Sequence, residues 1–108
     1  MKEIHLRHVD LNLLTVFEAI YSEAQITKAA RALGLTQPAV SHALARLRAL
    51  FDDPLFVRDG ASMVPTPRAQ DLAAPVSVIL DGVREIVGGP EPFDPANRIM
   101  HFGPMSAW

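Results

Sequence analysis

Gln37, Pro38, Ser41, His42 and Arg46 bring an amide, a hydroxyl, an imidazole and a guanidinium into the short run QPAVSHALAR. Glutamine can pair with N6 and N7 of adenine, serine can donate or accept, and proline and alanine can touch a thymine methyl group. Arg46 and Arg48, further along the helix, are better placed for phosphates, which position a protein without reading sequence. With Gln37 at 0° and about 100° per residue, Gln37, Arg48, Ser41, Ala45, Pro38, His42 and Arg46 spread over roughly 0–180°. Leu47, Val40, Phe51 and Leu44 fall within roughly 280–340°, a narrow apolar stripe that reads as the core face. Only small residues stand between the polar groups, so no bulky aliphatic blocks a close approach.

The stretch ITKAARALGLTQPAVSHALA, residues 26–45, supplies the elements that hold such a face. It reads as a helix, a short turn at Gly34 and a second helix. Ala30 is small enough for the second helix to cross closely. Gly34 can adopt positive φ at the end of the first helix without a Cβ penalty. Val40 faces back into the angle between the helices. Thr36 fits an N-cap, and Pro38 falls in the first turn, where a missing N–H costs nothing. The second helix of such a pair can enter the DNA major groove.

The 108 residues allow one small domain plus an appendage, and 49% hydrophobic content is enough for a core. No run of apolar residues is long enough to span a bilayer. The start, MKEIHLRHVD, lacks an apolar secretory segment, so a cytoplasmic location is expected. There is no cysteine, which rules out disulfides and thiolate metal sites. The net charge of −2 is unusual for a nucleic-acid binder, but its distribution matters more. Residues 26–58 carry Lys28, Arg31, Arg46, Arg48 and Arg58 against Asp52 and Asp53, so the excess acid lies elsewhere.

Upstream, Asp10 or Asn12 caps a helix whose apolar positions are Leu13, Leu14, Phe17, Ile20 and Tyr21. Ser22–Gln25 break it. The second helix is Ile26–Leu33 and the third runs from Gln37 to about Phe51. Asp52-Asp53-Pro54 ends the third. LFVR and MVP are short β-type runs, with the turn signal DGAS between them. A hairpin directly after a reading helix is a wing, and Arg58 is its candidate phosphate or minor-groove contact.

Thr66-Pro67 starts the longest helix, to about Val87. Its apolar residues Ala69, Leu72, Val76, Ile79, Val83 and Ile86 alternate three and four apart, as in a coiled-coil seam, and Ala73, Leu80 and Val87 widen it. Pairing with the same helix of a second chain would cover this stripe. Leu72, Val76, Ile79, Leu80 and Val83 are therefore the expected dimer contacts. Pro75 removes one backbone bond and is expected to kink the helix near Asp71. Gly88-Gly89-Pro90, Pro92 and Pro95 then make a linker, and RIMHFGPMSAW begins like a strand.

AARALGLTQPAVSHALARLRALFDDPLFVR, followed by PTPRA, resembles the N-terminal domain of LysR-type transcriptional regulators, most closely the branch of nodulation and aromatic-degradation regulators. The resemblance covers residues 5 to about 95. It implies a mainly α winged helix-turn-helix over 1–65, with three helices and a two-stranded wing. A linker and dimerisation helix over 66–89 would follow, and 90–108 would hold a hinge and the first strand of a missing effector-binding domain. It further implies that Gln37, Pro38, Ser41 and His42 approach bases, while Thr36 and Arg46 touch the DNA backbone. Many relatives have Arg where His42 stands, and many carry a basic residue at the wing tip, where this chain has DGAS. Arg58 is left as the chief wing cation.

The function expected is a sequence-specific transcriptional regulator that binds a palindromic double-stranded operator as a homodimer. A tetramer is open to the full-length parent, whose missing domain would take a small-molecule inducer. The competing reading is a helix-turn-helix protein-interaction and oligomerisation module without DNA binding. Catalysis is not expected. His5 and His8 share a short segment, His42 and His101 stand apart, no nucleophile has a base partner, and no Gly-rich phosphate loop is present. No metal, cofactor or membrane partner is expected.

Overall fold

Asp10 starts the first helix. Its Oδ1 accepts from the Asn12 N–H at 3.0 Å, ahead of α1, Asn12–Glu23. A computed structural model describes residues 5–88 of the chain. It contains a 3-10 turn at Leu6–His8, α1, α2 (Ile26–Leu33), α3 (Gln37–Phe51), β1 (Phe56–Asp59), β2 (Ser62–Pro65) and α4 (Pro67–Gly88). This is a mainly helical winged helix-turn-helix followed by a long helix. The expected linker and strand within 90–108 lie outside the described residues.

α1 ends at Ala24, a non-glycine residue at φ 61°, whose N–H bonds to the Ile20 carbonyl. The core gathers Leu13, Leu14, Val16, Phe17 and Ile20 of α1 with Ala29 and Ala30 of α2 and Val40, Leu44 and Leu47 of α3. Ala29 and Ala30 are fully covered, as helices crossing closely require. Phe56, fully buried at the base of the wing, lies 5.4 Å from the Phe17 ring and 6.2 Å from Tyr21.

β1 and β2 pair antiparallel, Phe56 with Pro65, Val57 with Val64, Arg58 with Met63 and Asp59 with Ser62. The DGAS turn is therefore tighter than its letters suggest. Asp59 and Ser62 are strand residues, and Gly60-Ala61 alone makes the reversal. Gly60 has φ 63°, as a two-residue hairpin with glycine first requires. The Met63 N–H donates to the Ala24 carbonyl at 2.7 Å, fastening the wing to the end of α1.

α4 is capped by Thr66, whose hydroxyl accepts from the Ala69 N–H at 3.2 Å. The helix runs on through Pro75, which faces solvent. The seam expectation is corrected at two positions. Val76 and Leu80 are 4% and 7% exposed and belong to the core of their own chain, with Ala69 buried and Leu72 packed against it. A three-four step pattern marks an apolar face but not what covers it, and α1 covers this part. Arg84 ties the two helices further along, donating to Glu18 of α1 and to Asp81. The hydrogen bond that Arg84 donates to Glu18, together with the charge of that carboxylate, raises the pKa of the guanidinium above its ordinary value. Val78, Ile79, Val83, Ile86 and Val87 remain exposed.

Candidate nucleic-acid interface

The turn between α2 and α3 is built by backbone demands that the residue types meet. Gly34 stands at φ 69°, and the Leu35 N–H reaches back to the Ala30 carbonyl at 2.9 Å, the long bond that closes a helix C-terminus. A Cβ added at Gly34 would meet nothing within 4 Å, so the positive φ, not space, demands glycine there. Thr36 then opens α3, its Oγ1 accepting from the Ala39 N–H at 3.2 Å. Pro38 occupies the first turn. Val40 and Leu47 are fully buried, which fixes the rotation of α3 about its own axis.

That rotation decides what α3 shows to solvent. Gln37, Pro38, Ser41, His42, Ala45 and Arg46 are all exposed, as is Thr36 at the start of the helix. Gln37, Pro38, Ser41 and His42 occupy the first two turns together. Arg58 is exposed on β1, opposite Met63. It makes no ion pair among the described residues, whereas Arg46 donates from Nη1 to Asp10 Oδ2 at 3.2 Å.

Arg48 differs from its sequence reading. Its Nε donates to the Pro54 carbonyl at 2.8 Å and its Nη2 to the Phe56 carbonyl at 2.8 Å. A guanidinium engaged through two of its nitrogens in this way braces the segment after α3, while the side chain stays exposed. Asp53 works from the other side, its Oδ2 accepting from the Leu55 N–H and from the Thr66 hydroxyl, each at 2.8 Å. The braced segment contains Leu55, fully buried at φ 63°. The wing is thus held to α3 by Arg48 and to the start of α4 by Asp53. Neither role is marked by residue type, although the crowding of Arg48, Asp53 and Pro54 around the helix end is a signal in hindsight.

A helix-turn-helix with a polar, uncluttered second helix and an attached wing defines the class. The family model of the bacterial regulatory helix-turn-helix protein, lysR family, matches residues 11–70, and this chain belongs to that family. It is 50% identical over 98 residues to the HTH-type transcriptional regulator LeuO of Escherichia coli (strain K12), covering 89% of this chain and 31% of LeuO. It is 48% identical over 92 residues to the HTH-type transcriptional activator NahR of Pseudomonas putida, covering 85% of this chain and 31% of NahR. The chain therefore spans about a third of the length of these relatives. Among solved structures, a probable transcriptional regulator from Pseudomonas aeruginosa matches with a TM-score of 0.75 and 47% identity, over 83% of this chain and 30% of that one. The complex of BenM DBD with benA site 1 DNA matches with a TM-score of 0.68 and 26% identity, over 74% of this chain and 90% of that one. No described helix is long and apolar enough to cross a membrane.

Proposed function

We propose that this chain is the reading head of a LysR-type transcriptional regulator and binds duplex DNA by placing the N-terminal turns of α3 in the major groove. The observation that carries the reading is the exposure of Gln37, Pro38, Ser41 and His42 on one end of a helix whose opposite face is locked by Val40, Leu44 and Leu47. Gln37, Pro38, Ser41 and His42 meet bases. Thr36, Arg46 and Arg58 meet the backbone. The similarity to BenM DBD bound to DNA supports this placement.

Residues 1–65 act as the DNA-binding unit, 66–89 as the linker helix, and 90–108 as the start of an effector domain that takes a small inducer in a longer parent. Dimerisation uses the part of α4 that α1 leaves bare, with Ile79 and Val83 at its centre and Leu72 at its margin. A two-fold dimer reads a palindromic operator in the cytoplasm, with half-sites about 34 Å apart or a multiple of it.

Selection of random duplexes by the purified chain tests the reading. The expected product contains two inverted half-sites, and inserting about five base pairs between them turns one onto the wrong face and sharply weakens binding. Binding must also fall steeply with salt, because neutralised phosphates release counterions. Failure to enrich any duplex, or binding indifferent to salt, would leave α3 a protein-docking helix and overturn the reading.

A further inference from the structure

α3 carries its cations at Arg46 and Arg48. Arg48 is committed to the carbonyls of Pro54 and Phe56. Arg46 has no such backbone partners among the described residues and is held instead by the carboxylate of Asp10, just ahead of α1. Two flexible side chains meeting on a surface would form a loose pair. This pair is not built that way. Asp10 is anchored by its other oxygen on the Asn12 N–H at 3.0 Å, and its carbonyl accepts from the Leu13 N–H at 2.9 Å. The acid is thus fixed at the head of α1, and the arginine comes to it.

We propose that Asp10 is a positioning residue that sets DNA specificity by holding the Arg46 guanidinium, which weakens its grip on the phosphates of non-target duplexes. The inference rests on Arg46 as a backbone contact. Binding to random DNA comes almost entirely from phosphate neutralisation, so a cation shared with a fixed carboxylate loses much of its contribution there. A target site differs because base contacts by Gln37 and Ser41 fix the register, which brings a phosphate to one place. A guanidinium has five N–H donors, and the contact with Asp10 uses Nη1. The remaining donors can then meet that phosphate while Asp10 holds the group in position. Asp10 thereby penalises random DNA more than target.

Asp10→Asn tests this, because asparagine caps helices as well as aspartate and removes only the charge. The probes are a duplex selected from a random pool by the wild-type chain and a random-sequence duplex of equal length, each titrated across a salt series. Expected for D10N is a rise of about two- to fivefold in affinity for the random duplex, the range an exposed ion pair spans. The salt slope on that duplex steepens by up to about one unit, and the target-to-random ratio falls. The same substitution in an Arg46→Ala background changes that ratio little, since the cation through which Asp10 acts is gone. D10S, a second capping variant, separates these effects from folding, and both variants should melt close to wild type. An unchanged ratio, or an equal change in the R46A background, makes Asp10 a bare surface charge and overturns the inference, while the DNA reading stands. If Arg46→Ala alone weakens neither duplex, Arg46 is not a backbone contact, and the inference falls with that assignment.

Discussion

Arg48 donates from Nη2 to the carbonyl of Phe56 at 2.8 Å, joining the last turn of α3 to the first residue of the wing. Its Nε holds the Pro54 carbonyl at the same distance. These bonds place the wing without help from DNA. Arg48→Ala should therefore destabilise the domain by about 1–3 kcal/mol, since two carbonyls lose a charged donor. For a domain of this size that lowers Tm by about 4–8 °C per kcal/mol. On the folded protein the salt slope of DNA binding should not change. Calorimetry with a salt titration checks both, and a slope flattened by about one unit would return Arg48 to the phosphates.

Leu55 makes a different demand. It is fully buried at φ 63°, a left-handed conformation that costs an L-residue roughly 1–2 kcal/mol. Leu55→Ala should lose about 2–5 kcal/mol through the cavity it leaves. Leu55→Gly removes nearly the same side chain but relieves the backbone. L55G should then equal or exceed L55A in urea midpoint, against the usual order in which glycine is the worse. A clearly less stable L55G would mean that the backbone relaxes at this position in the alanine variant.

The helix bounds and the turn were legible in the residues because each is demanded by one local requirement. Positive φ asked for Gly34, an orphan N–H asked for Thr36, and the apolar stripe of Val40, Leu44 and Leu47 fixed which half of α3 faces out. Longer-range bonds were not legible. Arg48 has the type of a solvated cation, and nothing local says that its partners are the carbonyls of Pro54 and Phe56. Asp10 precedes α1 and Arg46 lies on α3, so their pairing appears only in the packed fold. Ala24 and Leu55 hold left-handed positions without being glycine, each inside a network of backbone bonds. The seam on α4 was half legible. Its spacing gave an apolar stripe, but α1 of the same chain takes Val76 and Leu80.

That division predicts opposite outcomes for neighbouring substitutions on α4. Val83 and Ile79 are exposed, and Val76 is buried in the core. Val83→Asp and Ile79→Asp should give a folded monomer by sedimentation, with helical circular dichroism retained. Val76→Asp places a charge without a partner in the core, at a cost of several kcal/mol, and should unfold the domain. A wild-type chain that sediments as a monomer at tens of micromolar would remove the dimer from the proposal. A dimer unaffected by V83D and I79D would place the contact elsewhere.

Gln37 and Arg58 should separate specificity from general affinity. Gln37 is exposed at the first position of α3, at the end of a reading helix that reaches base edges. Its amide can satisfy two adenine atoms at once, and loss of such a pair costs about 1–3 kcal/mol against the preferred base. Arg58 is exposed on the wing, and a cation that meets phosphate acts whatever the sequence. Gln37→Ala should weaken binding to the selected duplex by that amount and leave random DNA nearly untouched. Arg58→Ala should weaken both duplexes alike and flatten the salt slope by about one unit. The two variants measured on both DNAs across one salt series give four lines. The assignment requires that Gln37 shift only one of them in height and that Arg58 change two of them in slope. Equal losses for Gln37→Ala on both duplexes would make Gln37 a backbone contact, and base reading would then rest on Ser41 and His42.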